Sequence, residues 1–213
     1  MKKDMTELVF ILDRSGSMSG LEDDTIGGFN SFVEKQKREK GECLVSTVLF
    51  NQKSNVIHDR VSLDKIEKMT RNEYFASGST ALIDAMGDAI HHIGNVHRYI
   101  REEDVPESTI FVIITDGKEN ASNRYSSDEV KKMVSEKKEK GWEFLFLGAN
   151  IDAVETAKHY GITEDRAVNF VCDEVGVQKN FKVLNKAVSM ARMDMCLDAD
   201  WAEEIKEDYE ARK

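Results

Sequence analysis

Short apolar runs alternate with longer amphipathic stretches along this chain. Residues 8–12 (LVFIL) and 110–114 (IFVII) are unbroken apolar runs, and 144–147 (FLFL) is a shorter one. Runs of this kind, rich in β-branched and aromatic residues, read as strands covered on both faces. Residues 44–50 (LVSTVLF) and 167–172 (AVNFVC) are further strand candidates, and 54–62 (SNVIHDRVS) reads as a more polar edge strand. Helical patterns lie between them. Ile26, Phe29, Phe32 and Val33 share one face of a helix near 22–40, and Leu82, Met86, Ala89, Ile93 and Val96 do so across 81–99. Val130, Met133 and Val134 mark a helix near 127–140, and Val154 and Ala157 one near 151–160. Strands alternating with helices imply parallel strands joined by helical crossovers on both faces. The expectation is therefore an α/β fold with a doubly wound, mostly parallel sheet of about six strands.

The pattern changes near residue 174. Beyond it no strand is visible, and two helical stripes remain: Phe181, Leu184, Val188 and Ala191, then Trp201, Ile205 and Tyr209. These predict two terminal helices, packed on the body of the domain or forming a docking surface. Met190, Met193 and Met195 near the first stripe read as packing filler. The single proline, Pro106, marks a loop, and no Pro- or Ser-rich linker divides the chain. One domain over residues 1–213 is expected, with a core at about 7–172 and a helical extension from about 174.

Composition narrows the function classes. The 213 residues carry 30 Lys+Arg against 40 Asp+Glu, a net charge of −10. That balance argues against a generic nucleic-acid binder, which shows a basic face, and against adsorption to anionic membranes. No window approaches the ~18 apolar residues of a membrane span, and the first apolar run is too short for a signal-peptide core. Cys43, Cys172 and Cys196 are odd in number and show no CxxC spacing, so they read as idle thiols of an intracellular protein. A cytoplasmic location follows as an expectation.

In open α/β sheets, ligands sit beyond the carboxyl ends of the strands. The first apolar run is followed by Asp13-Arg14-Ser15-Gly16-Ser17-Met18, with oxygen-bearing side chains at every second residue. The fourth strand is followed by Thr115-Asp116-Gly117, and Gly78-Ser79-Thr80 precedes the helix at 81–99. Taken singly, Ser17, Ser19 and Thr80 read as helix caps and Asp-Gly as a turn. Together, two carboxylates and three hydroxyls form a hard-oxygen donor set. It suits Mg²⁺ or Mn²⁺, and suits Zn²⁺ poorly without Cys or His.

On these residues the chain resembles the von Willebrand factor A domain family. That family's metal-ion-dependent adhesion site is a DxSxS pattern, a later Thr and a later Asp in a TDG-like turn. Here they are Asp13, Ser15 and Ser17, Thr80 within GST, and Asp116 within TDG, in the family's order. The resemblance implies a Rossmann-like fold with a short antiparallel edge strand, matching 54–62. It implies Ser15, Ser17 and Thr80 as hydroxyl ligands, with Asp13 and Asp116 acting mostly through water. It also implies a partner Asp or Glu completing the shell, and a binding module in place of an enzyme. The size and acidity look like stand-alone intracellular bacterial or phage-type members.

The rim residues Arg14, Met18, Lys118, Asn120 and Asn123 are expected to select the partner. Tyr74 and Phe75 are expected to pack, His91, His92 and His97 to be surface or interfacial, and Asn150 to cap the following helix or line the cleft. Two alternatives stand beside the binding module. One is a Mg²⁺-dependent phosphohydrolase, although Ser15 stands where a DxD enzyme carries its general acid. The other is a non-catalytic subunit of an AAA+ ATPase or chelatase-like complex. No Walker A, GxGxxG or GxSxG pattern is present.

Overall fold

The computed structural model describes residues 1–193 and 197–213; Met195 and Cys196 lie outside the described residues. Its strands are β1 (Lys2–Asp13), β2 (Glu42–Phe50), β3 (Ser54–Ser62), β4 (Pro106–Thr115), β5 (Trp142–Gly148) and β6 (Ala167–Asn169). Its helices are α1 (Glu22–Gln36), α2 (Leu82–Tyr99), α3 (Ser127–Lys138), α4 (Ala153–His159), α5 (Glu174–Arg192) and α6 (Glu203–Arg212). The strands form one sheet in the order β3-β2-β1-β4-β5-β6. All pairs are parallel except β2 with β3, which is antiparallel.

The unbroken apolar runs are explained by burial on both faces. Leu8, Phe10 and Leu12 of β1 join Ile110, Val112 and Ile114 of β4 in a core completed by α1 and α5. Val9 and Ile11, with Phe111 and Ile113, face the opposite core under α2, α3 and α4. Helix α5 is seated close to α1: a Cβ added to Gly28 would lie 2.2 Å from the Phe181 ring. Phe181, Leu184 and Val188 are buried there, and Ile205 of α6 is buried too. The indole N–H of Trp201 donates to the Asp165 carbonyl at 2.8 Å. Both terminal stripes therefore pack on the body of the domain.

Several boundaries differ from the sequence expectation. β1 begins six residues before the apolar run, because Lys2 pairs with Pro106 through an irregular register that no hydrophobic pattern reports. Pro106 opens β4 and does not lie in a loop; the first position of a strand is where a residue without an N–H is tolerated. β6 stops at Asn169, so Phe170, Val171 and Cys172 continue without strand pairing. Asp152, and not Asn150, caps α4, its side chain accepting from Glu155 N–H.

The chain moves from β1 outward to β2 and β3, then returns to β4 and moves outward to β5 and β6. The reversal falls between β1 and β4, where an open α/β sheet leaves a crevice at the strands' carboxyl ends.

Candidate metal centre

Asp13 ends β1 and Asp116 directly follows β4, so both carboxylates lie at that reversal. Asp13 is 1% exposed. Its two oxygens accept from Ser15 N–H at 2.7 Å and Thr115 Oγ1 at 2.6 Å. Its main chain is held as well: the Tyr74 hydroxyl donates to the Asp13 carbonyl at 2.5 Å. Tyr74 is fully buried, as expected, whereas Phe75 beside it is exposed.

The hydroxyls gather on the same point. Ser15 Oγ and Ser17 Oγ are 3.1 Å apart, and Ser17 Oγ donates to Asp116 Oδ1 at 2.6 Å. A Cβ added to Gly117 would lie 3.4 Å from Ser17 Oγ and 3.5 Å from Thr80 Oγ1. Glycine there leaves room for two hydroxyls on one side of the turn. None of these side chains serves as a helix cap. Leu21 caps α1, Ala81 caps α2, and Ser15 opens the short turn Gly16–Met18 without a side-chain bond. Asn120 clamps Thr80, accepting from its N–H at 2.9 Å while donating its own N–H to the Thr80 carbonyl at 3.0 Å. Gly16 N–H donates to Gly78 O at 2.9 Å, so the first loop and the loop before α2 are tied backbone to backbone.

Burial pushes the Asp13 carboxyl above the usual carboxylate range; hydrogen bonds from Thr115 and Ser15 oppose the rise, and the nearby Asp116 charge adds to it. Burial raises Asp116 in the same way, against hydrogen bonds from Ser17 and Cys172. Among the described residues neither carboxylate has a cation acting on it. Two buried like charges without a counter-ion are costly, and a divalent cation would remove that cost. The donors fit such an ion: they are all hard oxygens, two of them anionic. No group of three or more His, Cys, Asp or Glu side chains gathers among the described residues, so any metal here depends on hydroxyls.

The rim differs in part from expectation. Met18 is 2% exposed and packs in the core, so it is not available to a partner. Asn120 is exposed, and its Oδ1 and backbone N–H are engaged on Thr80. Arg14 is half-buried and lies over the Phe75 ring, 4.9 Å from its centroid. Lys118 and Asn123 are exposed, the latter donating its N–H to Asp84 Oδ2 at 3.0 Å. Sequence reasoning missed Thr115, whose hydroxyl orients Asp13. It also missed Cys172, whose thiol donates to Asp116 Oδ2 at 3.7 Å and so orients that carboxylate from beside the oxygen set. The last residue of the apolar run 167–172 was the available signal for Cys172, and the Thr of TDG the signal for Thr115.

The family model described as von Willebrand factor type A domain matches residues 7–182. No curated protein matches the chain. Among solved structures, proximal thread matrix protein 1 from the mussel byssus is similar, with a TM-score of 0.57 and 15% identity over 87% of this chain and 46% of that one. The chain thus corresponds to less than half of that protein. A form of the same byssus protein described as having a zinc-occupied MIDAS motif gives a TM-score of 0.56 at 15% identity, over 87% and 46%. The manganese-loaded TRAP protein of Plasmodium vivax gives a TM-score of 0.58 at 18% identity, covering 85% of this chain and 74% of that one. These likenesses carry the fold. With the family match spanning most of its length, the chain belongs to the von Willebrand factor type A domain family.

Proposed function

We propose that this domain is a divalent-metal-dependent protein-binding module. Ser15, Ser17 and Thr80 would hold the ion through their hydroxyls, with Asp13 and Asp116 contributing mostly through water. The observation that carries this reading is the pair of buried carboxylates, without a cationic partner among the described residues, ringed by three hydroxyls. When bound, a Mg²⁺-type ion supplies positive charge and an open coordination position for a carboxylate from outside. Mg²⁺ is preferred on its hard-oxygen chemistry, with Mn²⁺ an acceptable substitute; the neighbours described as manganese-loaded and zinc-occupied agree with a divalent ion in this fold.

The chain's own residues do the positioning. Thr115 and the Ser15 N–H aim Asp13, Ser17 aims Asp116, and Asn120 holds Thr80. Lys118, exposed two residues beyond Asp116, offers a positive charge to an acidic partner. A partner Asp or Glu would complete the metal's shell. Catalysis is not part of this reading, since domains of this family are generally interaction modules and Ser15 cannot serve as the general acid of a phosphohydrolase.

The test is capture of partners from native lysate in Mg²⁺ against EDTA, with a Ser15→Ala/Ser17→Ala variant alongside. A partner retained only by the intact protein in Mg²⁺ is expected. Retention under all three conditions would contradict the proposal, as would Mg²⁺-dependent phosphatase turnover abolished by Asp13→Asn.

A further inference from the structure

Phe75 is 49% exposed, while Tyr74 beside it is fully buried. A single exposed aromatic is ordinary on a protein surface. Its setting here is not. The segment carrying it is fixed to the metal loop on both sides. Tyr74 donates its hydroxyl to the Asp13 carbonyl, and Ser77 N–H donates to the Arg14 carbonyl at 2.9 Å. Asn51 Nδ2 adds a 3.3 Å bond to Ser77 Oγ. The ring is thus displayed from a tied loop that also delivers Thr80, and its place relative to Asp13 and Ser15 is set by the backbone.

Arg14 reinforces this. Its guanidinium lies 4.9 Å from the Phe75 ring centroid, and Nη1 donates to the Glu73 carbonyl at 3.3 Å. Its Nε–H is buried with no partner among the described residues. Other arginines of this chain, such as Arg60, Arg71 and Arg124, are paired with carboxylates. Arg14, between Asp13 and Ser15 in sequence, instead spends its planar face on an aromatic ring. A cation stacked on an aromatic, on a segment tied to the Asp13 loop, offers two things together: positive potential, and a rigid apolar surface ordered before binding.

We propose that Phe75, steadied by Arg14, is the apolar seat of the interface. The preferred partner is then a peptide segment in which an Asp or Glu has an aliphatic or aromatic neighbour. This rests on the metal-bridged reading: the carboxylate goes to the metal centre and the neighbouring apolar side chain covers Phe75. Burying that ring on binding removes apolar surface from water, and aromatic anchors of this kind carry much of an interface's affinity.

The experiment is selection of a random displayed-peptide library on the immobilised full chain in Mg²⁺, with elution by EDTA, for wild type, Phe75→Ser and Ser15→Ala/Ser17→Ala. Wild type is expected to enrich an acidic position with a hydrophobic neighbour. Phe75→Ser should keep the acidic position and lose the hydrophobic preference. It should also bind the best wild-type peptide about tenfold more weakly, with a thermal melt lowered by no more than a few degrees, because half of the ring is exposed and only the Arg14 contact is lost. Acidic peptides without a hydrophobic neighbour, or an unchanged preference in Phe75→Ser, would overturn the apolar seat alone. No EDTA-released enrichment, or equal enrichment by the double-serine variant, would overturn the metal-bridged reading and this inference with it.

Discussion

Glu7 and Asp13 are two buried carboxylates on one strand, six residues apart and therefore about 20 Å from each other. Glu7 is fully buried and answered. Arg60 Nε reaches both of its oxygens, at 2.9 and 3.0 Å, and His97 Nε2 lies 3.0 Å from one of them. The cluster ties β1 to the edge strand β3 and to α2. Asp13 is as deeply buried, but its partners are a hydroxyl and an N–H, and the charge that acts on it is another carboxylate, that of Asp116. Both acids are out of water, yet one is neutralised by the fold and the other is left to be neutralised from outside. A buried charge that the fold pairs is structural, and one that the fold only orients points to a ligand.

The largest effect that would sharpen this contrast is at Glu7. Glu7→Ala strands Arg60 and His97 and should lower unfolding free energy by about 3–5 kcal/mol, measured by urea denaturation, while leaving metal response intact in whatever remains folded. Thr115→Val should do the reverse. It keeps the strand but removes the donor that aims Asp13, and should weaken Mn²⁺ binding about 10- to 100-fold, read by calorimetric titration. Arg60→Lys keeps the charge at Glu7 but loses the planar fork, for an expected stability loss of about 1 kcal/mol in the same urea assay.

The smallest effect concerns the two described thiols, one in each setting. Burial pushes Cys43 up to about 11, and burial together with the Asp116 charge pushes Cys172 up to about 12. A raised thiol is reactive only as pH rises toward that value. Alkylation at pH 8 should therefore be slow at both, resolved by peptide mass spectrometry. Asp116→Asn should speed labelling of Cys172 while leaving Cys43 unchanged. Equal acceleration at both would break the link between Asp116 and its neighbour.

Much of the fold is legible because the central strands are buried on both faces and announce themselves as apolar runs. What hydrophobicity does not control is not legible. The first residues of β1 pair through their backbone, and Pro106 is placed by that pairing. The five site positions are visible because Asp13, Ser15 and Ser17 are local, and the other two adjoin a strand end and a helix start. Their convergence depends on β1 lying beside β4, a contact across about a hundred residues of chain that spacing alone does not report. Loop residues have no period, so Met18 pointing inward and Arg14 lying on Phe75 were equally invisible. Glu7 looks like an ordinary polar residue ahead of an apolar run, because its partners lie 53 and 90 residues away.

The most direct test of the central claim is a Mn²⁺ titration of wild type, Asp116→Asn and Arg60→Lys, following binding by electron paramagnetic resonance and stability by thermal melting. A single saturable site is predicted in wild type and Arg60→Lys, with a melting temperature that rises as the ion is added. Asp116→Asn should show neither. Equal Mn²⁺ binding by all three proteins, or none by wild type, would contradict the account.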